Sequence, residues 1–151
     1  SLPRAAVDAH IALHLSEAAV AAWIADPERI VLVGAAADAP ETLLGYAMYE
    51  TAATPEAPVT ERLGDVPAGH LSKLYVLAEG RGTGLAEALV YDGVERLRRL
   101  GFRHVWLGTN AQNARANRFY ERLGFATIGA RQFVVGGERV EDDWVRLLTV
   151  E

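Results

Sequence analysis

The sequence predicts an α/β chain of α+β character, organised on a mixed, mostly antiparallel, twisted sheet. Two observations predict it. Residues Leu71–Leu107 read strand, glycine turn, amphipathic helix, strand, and such a unit lays its two strands parallel. Paired apolar runs flank it, Arg29–Ala35 with Thr42–Tyr49 and Phe125–Val135 with Val140–Val150, and these read as antiparallel hairpins.

The elements follow in order. Pro3–Ala25 is helical, with apolar residues at Val7, Ile11, Leu15, Ala19, Val20, Trp23 and Ile24. Ser16 is placed to cap a second helix there, and Asp26-Pro27 ends it. The first hairpin turns at Asp38–Glu41. Thr51–Gly69 carries Pro55, Pro58 and Pro67 with Glu56, Glu61 and Asp65, and reads as a long connection. Leu74–Leu77 is a strand, broken by Gly80, Gly82 and Gly84. Leu85–Leu100 is an amphipathic helix whose buried stripe is Ala86, Leu89, Val90, Gly93, Leu97 and Leu100. Glu87 near its start and Arg96, Arg98 and Arg99 near its end suit the helix dipole, and Gly101 stops it. His104–Leu107 is the next strand. Asn113–Leu123 is a helix capped by Asn110 or Asn113 and stopped by Gly124. Gly136-Gly137 turns the last hairpin.

The chain's 151 residues suit a single domain spanning 1–151. Half of the residues are hydrophobic and 23% are charged, which is ordinary globular composition. No apolar run is long enough to span a bilayer, and no signal-peptide pattern opens the sequence. The absence of cysteine excludes disulfides, thiolate metal sites and a cysteine nucleophile, and fits a cytoplasmic protein. A net charge of −5 argues against nucleic acid as partner and is compatible with a cationic ligand. His10 and His14 stand four apart, a spacing that suits a metal on a helix face, but no Glu or Cys accompanies them in a metal pattern. No metal and no membrane partner is expected.

The glycine turn is the strongest chemical signal. Strand, glycine turn and helix together form a phosphate-holding geometry: glycines allow close backbone approach, and the first helical N–H groups point at the anion. Arg81 adds a cationic fork. A Walker loop needs Lys and then Ser or Thr after its last glycine, where Leu85 and Ala86 stand. A dinucleotide fingerprint aligned on Gly82 and Gly84 needs a small residue where Glu87 stands.

What fits is Arg-x-x-Gly-x-Ala, carried by Arg81, Gly84 and Ala86. This resembles the pyrophosphate loop of the GNAT superfamily, the acyl-CoA-dependent N-acetyltransferases. A second segment, Thr109–Phe125 (TNAQNARANRFYERLGF), resembles that family's Asn, short Phe-Tyr helix and Gly-Phe pair, here Asn113, Phe119-Tyr120 and Gly124-Phe125. The tail FVVGGERVEDDWVRLL resembles the bacterial spermidine/spermine acetyltransferase branch. Ala78 and Gly80 depart from the Pro and bulky residue often found there. The family's usual first strand has no counterpart, since the sequence opens in helix, and this puts one edge of the substrate pocket in question.

The resemblance implies a central parallel strand pair splayed around an acyl-CoA cleft, with helices on both faces. It implies acetyl-CoA as co-substrate, held by the backbone of Tyr75, Val76 and Leu77, by Arg81, Gly82, Thr83, Gly84, Leu85 and Ala86, and by Asn113. Arg118 or Arg122 would meet the 3′-phosphate. It implies Tyr120 as the acid that protonates the departing sulfur. A phenol's pKa is about 10, so the group is protonated at neutral pH. Asn113 and Tyr120 lie two turns apart on nearly one helix face. With no cysteine for an acyl-enzyme, an amine attacks directly in a ternary complex, and Glu50 at its strand end is the candidate base. The acceptor class is a small primary amine or polyamine. A protein N-terminal or lysine acetyltransferase, a non-catalytic acyl-CoA-binding regulatory domain and a nucleotide binder are the alternatives. A homodimer is left open.

Overall fold

The structure is a computed structural model that describes residues 17–135, 137 and 139–151. The helix expected before Ser16, the His10–His14 pair and the Ser16 cap lie outside the described residues, as does Gly136 of the last turn. The elements are α1 (Glu17–Ala25), β1 (Arg29–Ala36), β2 (Ala39–Glu50), α2 (Ala57–Leu63), β3 (Gly69–Val76), a 3₁₀ turn (Ala78–Gly80), α3 (Leu85–Arg99), β4 (His104–Asn110), α4 (Ala114–Arg122), β5 (Ala126–Val135) and β6 (Arg139–Thr149). The six strands pair in the order β1-β2-β3-β4-β6-β5, a mixed sheet as the sequence predicts. The chain divides into two compact units: residues up to Glu50 with Lys73–Gly93, and Thr51–Ser72 with Val94–Glu151.

In the first unit β1 and β2 form the expected antiparallel pair, in register from Arg29↔Glu50 to Gly34↔Gly45. Tyr46–Tyr49 of β2 are all buried. The Tyr49 hydroxyl donates to the Leu89 carbonyl of α3 at 3.0 Å. Gly93 makes room for that ring, since a Cβ there would lie 2.0 Å from a Tyr49 ring atom. Gly93→Ala should therefore cost about 3 kcal/mol, the upper end for overpacking, which outweighs the about 1 kcal/mol that alanine gains over glycine in a helix. Urea unfolding checks this: the midpoint falls at unchanged slope, and an unmoved midpoint would mean the Tyr49 ring gives way freely.

In the second unit β4 is the middle strand. It pairs with β6 over seven positions, from His104↔Thr149 to Asn110↔Asp143, and β6 pairs with β5. The start of β3 joins in parallel at Gly69↔Val105 and His70↔Trp106, where the His70 ring stacks on Trp106 at 3.9 Å. The core beneath holds Val59, Ala68, Trp106, Val145 and Leu147.

Two expectations change. The connection Thr51–Gly69 contains a helix, α2, with Pro58 in its first turn. The structure pins it at three points. Val59 is buried in the core, Pro58 lies against Gly129, and Glu56 accepts from Arg131 Nη1 at 2.6 Å. Leu100 was expected in the buried stripe of α3, but the helix ends at Arg99, and Leu100 is 62% exposed.

Residues of a strand alternate between its faces, so Asp143 and Arg146, three apart on β6, point to opposite sides. The Asp143 carboxylate accepts from Arg131, the partner of Glu56 before α2, and Arg146 reaches α4. This unit thus carries a helix on each face of its strands.

Candidate active site

In the first unit the end of β3 runs into the glycine turn. Leu77 N–H donates to the Leu44 carbonyl of β2 at 2.7 Å, and the Leu77 carbonyl accepts from Gly80 N–H at 2.9 Å. Successive strand residues aim their backbone groups at opposite edges. Leu77, expected among the groups that pair with pantetheine, is therefore turned toward β2, as is the Tyr75 carbonyl, which a Gly45 Cβ would approach to 2.6 Å. Val76 presents its N–H away from β2. The Tyr75 ring lies 6.4 Å from that of Tyr46.

Gly80 is buried at the root of the turn, where a Cβ would crowd Val76, Leu44 and Leu85. That tightness explains the glycine at this point. Beyond it Arg81, Gly82, Thr83 and Gly84 are exposed. Gly82 and Gly84 have φ of +75° and +85°, the left-handed region that glycine alone enters without strain. A Cβ at either would meet nothing within 4 Å, so their outer side is open. The Thr83 hydroxyl donates to the Gly80 carbonyl and accepts from Leu85 N–H, which ties the loop to the start of α3. The first N–H groups of α3, from Leu85 and Ala86 onward, have no acceptor one turn earlier in the helix. An open glycine bend, a helix start and Arg81 together fit a pyrophosphate. Glu50 ends β2, half-buried and in register with Arg29.

In the second unit Asn113 caps α4, its Oδ1 accepting from Ala116 N–H at 3.1 Å. Of the two expected caps, Asn113 is the one used, while the Asn110 side chain accepts from Gln112 N–H. Tyr120 is half-buried between Phe119 and Phe125, both edge-on to its ring, with centroids 5.2 and 5.7 Å away. Burial pushes its phenol up to about 12, so it holds its proton at any physiological pH.

Sequence reasoning missed two clusters in this unit. One is Arg131, whose guanidinium joins Glu56 and Asp143. The other is Arg146, 2% exposed, which reaches Asn117, Glu121 and the Phe125 carbonyl. Arg146 stands in the apolar run WVRLL, the one signal that a charge there is held inside. Among the described residues no group of three or more His, Asp or Glu is placed to hold a metal ion, and no helix is long and apolar enough to cross a membrane.

Comparison with known proteins bears on this geometry. The family model for GNAT acetyltransferases matches residues 5–125. An uncharacterized N-acetyltransferase of Mycobacterium tuberculosis is 36% identical over 147 residues, 95% of this chain and 84% of that protein. A mycothiol acetyltransferase of Parafrankia sp. is 40% identical over 91 residues, 55% of this chain and 28% of that protein. Among solved structures, Arabidopsis thaliana NAA60 in complex with acetyl-CoA superposes with a TM-score of 0.64 at 21% identity, covering 76% of this chain and 70% of that one. The spermidine/spermine N-acetyltransferase SpeG from Vibrio cholerae gives 0.63 at 19% identity, covering 88% and 72%. The last two are likenesses of fold.

Proposed function

The chain belongs to the GNAT acetyltransferase family and is an acyl-CoA-dependent N-acetyltransferase, and from that premise we propose that it moves an acetyl group from acetyl-CoA to a small primary amine or polyamine by direct attack. The observation that carries the mechanism is Tyr120, a phenol set edge-on between Phe119 and Phe125 on the helix that Asn113 caps. In the reaction the amine, deprotonated, adds to the thioester carbonyl. The tetrahedral oxyanion collapses, the C–S bond breaks, Tyr120 gives its proton to the CoA sulfur, and the surplus proton on the amide nitrogen returns to the tyrosinate. Val76 N–H is the strand amide turned away from β2, and it is the donor for the carbonyl oxygen. Gly82, Gly84 and the first amides of α3 hold the pyrophosphate with Arg81, and Thr83 holds the loop in shape. Glu50 is the group that takes the amine's proton.

The chain is net acidic, and one relative over part of its length is named a mycothiol acetyltransferase. Glu61 and Asp65 stand exposed on the α2 segment, where they attract cations, while Glu56 is held by Arg131. Spermidine, spermine, monoamines, amino acids and a peptide assayed side by side test the acceptor assignment. kcat/KM for a polyamine should fall more steeply with salt than that for a monoamine. Peptide acetylation faster than any small amine would overturn the acceptor class, and activity confined to amino acids would remove the polyamine half. Glu50→Gln belongs in the same assay: an unchanged rate and pH profile assigns the proton to another base.

A further inference from the structure

Arg146 is a charge in the interior, and a buried charge carries a desolvation cost that an apolar residue of the same volume would not. Its hydrogen bonds all go to one place. Nε and Nη2 donate to Asn117 Oδ1 at 3.2 and 3.0 Å, Nη2 also donates to Glu121 Oε1 at 3.1 Å, and Nη1 donates to the Phe125 carbonyl at 3.1 Å. Asn117, itself buried, passes the contact on. Its Nδ2 donates to the Asn113 carbonyl at 2.8 Å and to the Asn110 carbonyl at 3.0 Å.

The positions so held are Asn113, Asn117 and Glu121, which recur every four residues, with Tyr120 beside the last. They form one stripe of α4. At one end of the stripe the turn from β4 is fixed through Asn110 and Asn113. At the other the Phe125 backbone is fixed at its carbonyl, and Phe125 N–H donates to the Tyr120 carbonyl at 3.0 Å. The Phe125 ring is also an edge-on wall of the Tyr120 pocket. The planar guanidinium spans these three acceptors as a rigid fork, which a lysine ammonium on a flexible stem cannot do.

We infer that Arg146 and Asn117 are positioning residues for the transfer step: they set the azimuth and height of α4 so that the Tyr120 hydroxyl meets the leaving sulfur. This deepens the mechanism proposed above and rests on Tyr120 being the acid. A proton donor must come within hydrogen-bond reach of its target, so a small rotation of α4 lowers the rate without unfolding the chain.

The test is a double-mutant cycle between Arg146→Lys and Tyr120→Phe, with kcat, KM for acetyl-CoA and melting temperature measured on each protein. The expected result is a kcat loss of more than tenfold in Arg146→Lys with KM changed less than threefold. The loss should shrink to under threefold when Tyr120 is already Phe, because the group being positioned is gone. Asn117→Leu is the second arm, for use also if Arg146→Lys does not fold, and should show the same non-additivity. Full additivity in both arms, or a kcat that follows the folded fraction alone, would make Arg146 and Asn117 merely structural. If Tyr120→Phe alone leaves kcat intact, the acid assignment fails. If Tyr120→Phe lowers kcat and neither arm does, the positioning inference fails by itself.

Discussion

Tyr120→Phe should lower turnover on the order of 10²-fold while leaving CoA affinity almost unchanged, the usual scale for losing a positioned acid. The substitution keeps the ring, so its edge contacts with Phe119 and Phe125 survive and only the proton donor is removed. The pH profile supplies a second reading. An ordinary phenol is half ionised at about pH 10. Burial pushes the Tyr120 phenol up to about 12, so kcat should show no tyrosine limb up to pH 10. A limb near pH 10 that vanishes in Tyr120→Phe would mean that the ring is solvated during turnover. Unaltered turnover, with chemistry shown to be rate-limiting, would reduce Tyr120 to packing. The sign of the stability effect follows from the same shift. Between pH 10 and about 12 the unfolded chain gives up this proton and the folded one keeps it, so this group's contribution to stability falls as pH rises through that window.

Gly84→Val should weaken CoA binding by more than tenfold, about 1.4 kcal/mol. The cause lies in the backbone. At φ +85° a β-branched residue is strained, while its Cβ meets nothing within 4 Å. The loop will leave the left-handed bend, and the amides that follow will turn away from the phosphate. The outer side is open, so the chain has room to relax and should stay folded. Isothermal titration with CoA on the folded variant decides it, and normal affinity would mean that the loop does not hold the pyrophosphate. Gly84→Ala should show a smaller loss of the same kind.

The parts legible in the sequence were those with local signals. The α3 helix, both hairpins and the Asn113 cap each announce themselves within a few residues. The glycine turn was legible for the same reason, since positive φ and a helix start leave glycines at fixed spacing. The α2 helix was missed because its seven residues sit among three prolines, which suggest a loop, although proline in a first turn also favours a helix. What holds α2 has no local trace: Glu56 meets Arg131, 75 positions away. Arg146 is hidden by the strand pattern, because alternation predicts every second position outward. In β6 Asp143, Val145, Arg146 and Leu147 are all buried, since both faces of this strand are covered. Leu77 shows a further limit, because which edge an amide faces is set by register with Leu44 and not by residue type.

The place of β6 between β4 and β5 also orders events as the chain is made. β5 leaves the ribosome before β6, yet the two neighbours of β6 can close only once residues 139–149 have emerged. Until then Val105, Trp106 and Leu107 lie along a strand with a bare edge, the kind of edge that recruits other chains. The burial of β4 therefore awaits residues that follow it by some thirty positions or more. A chain released early, after β5, would carry the glycine loop and Tyr120 and still lack the strand that pairs with Val105, Trp106 and Leu107. Such fragments should aggregate rather than persist as partly active enzyme, which makes β6 a checkpoint for the strands made before it.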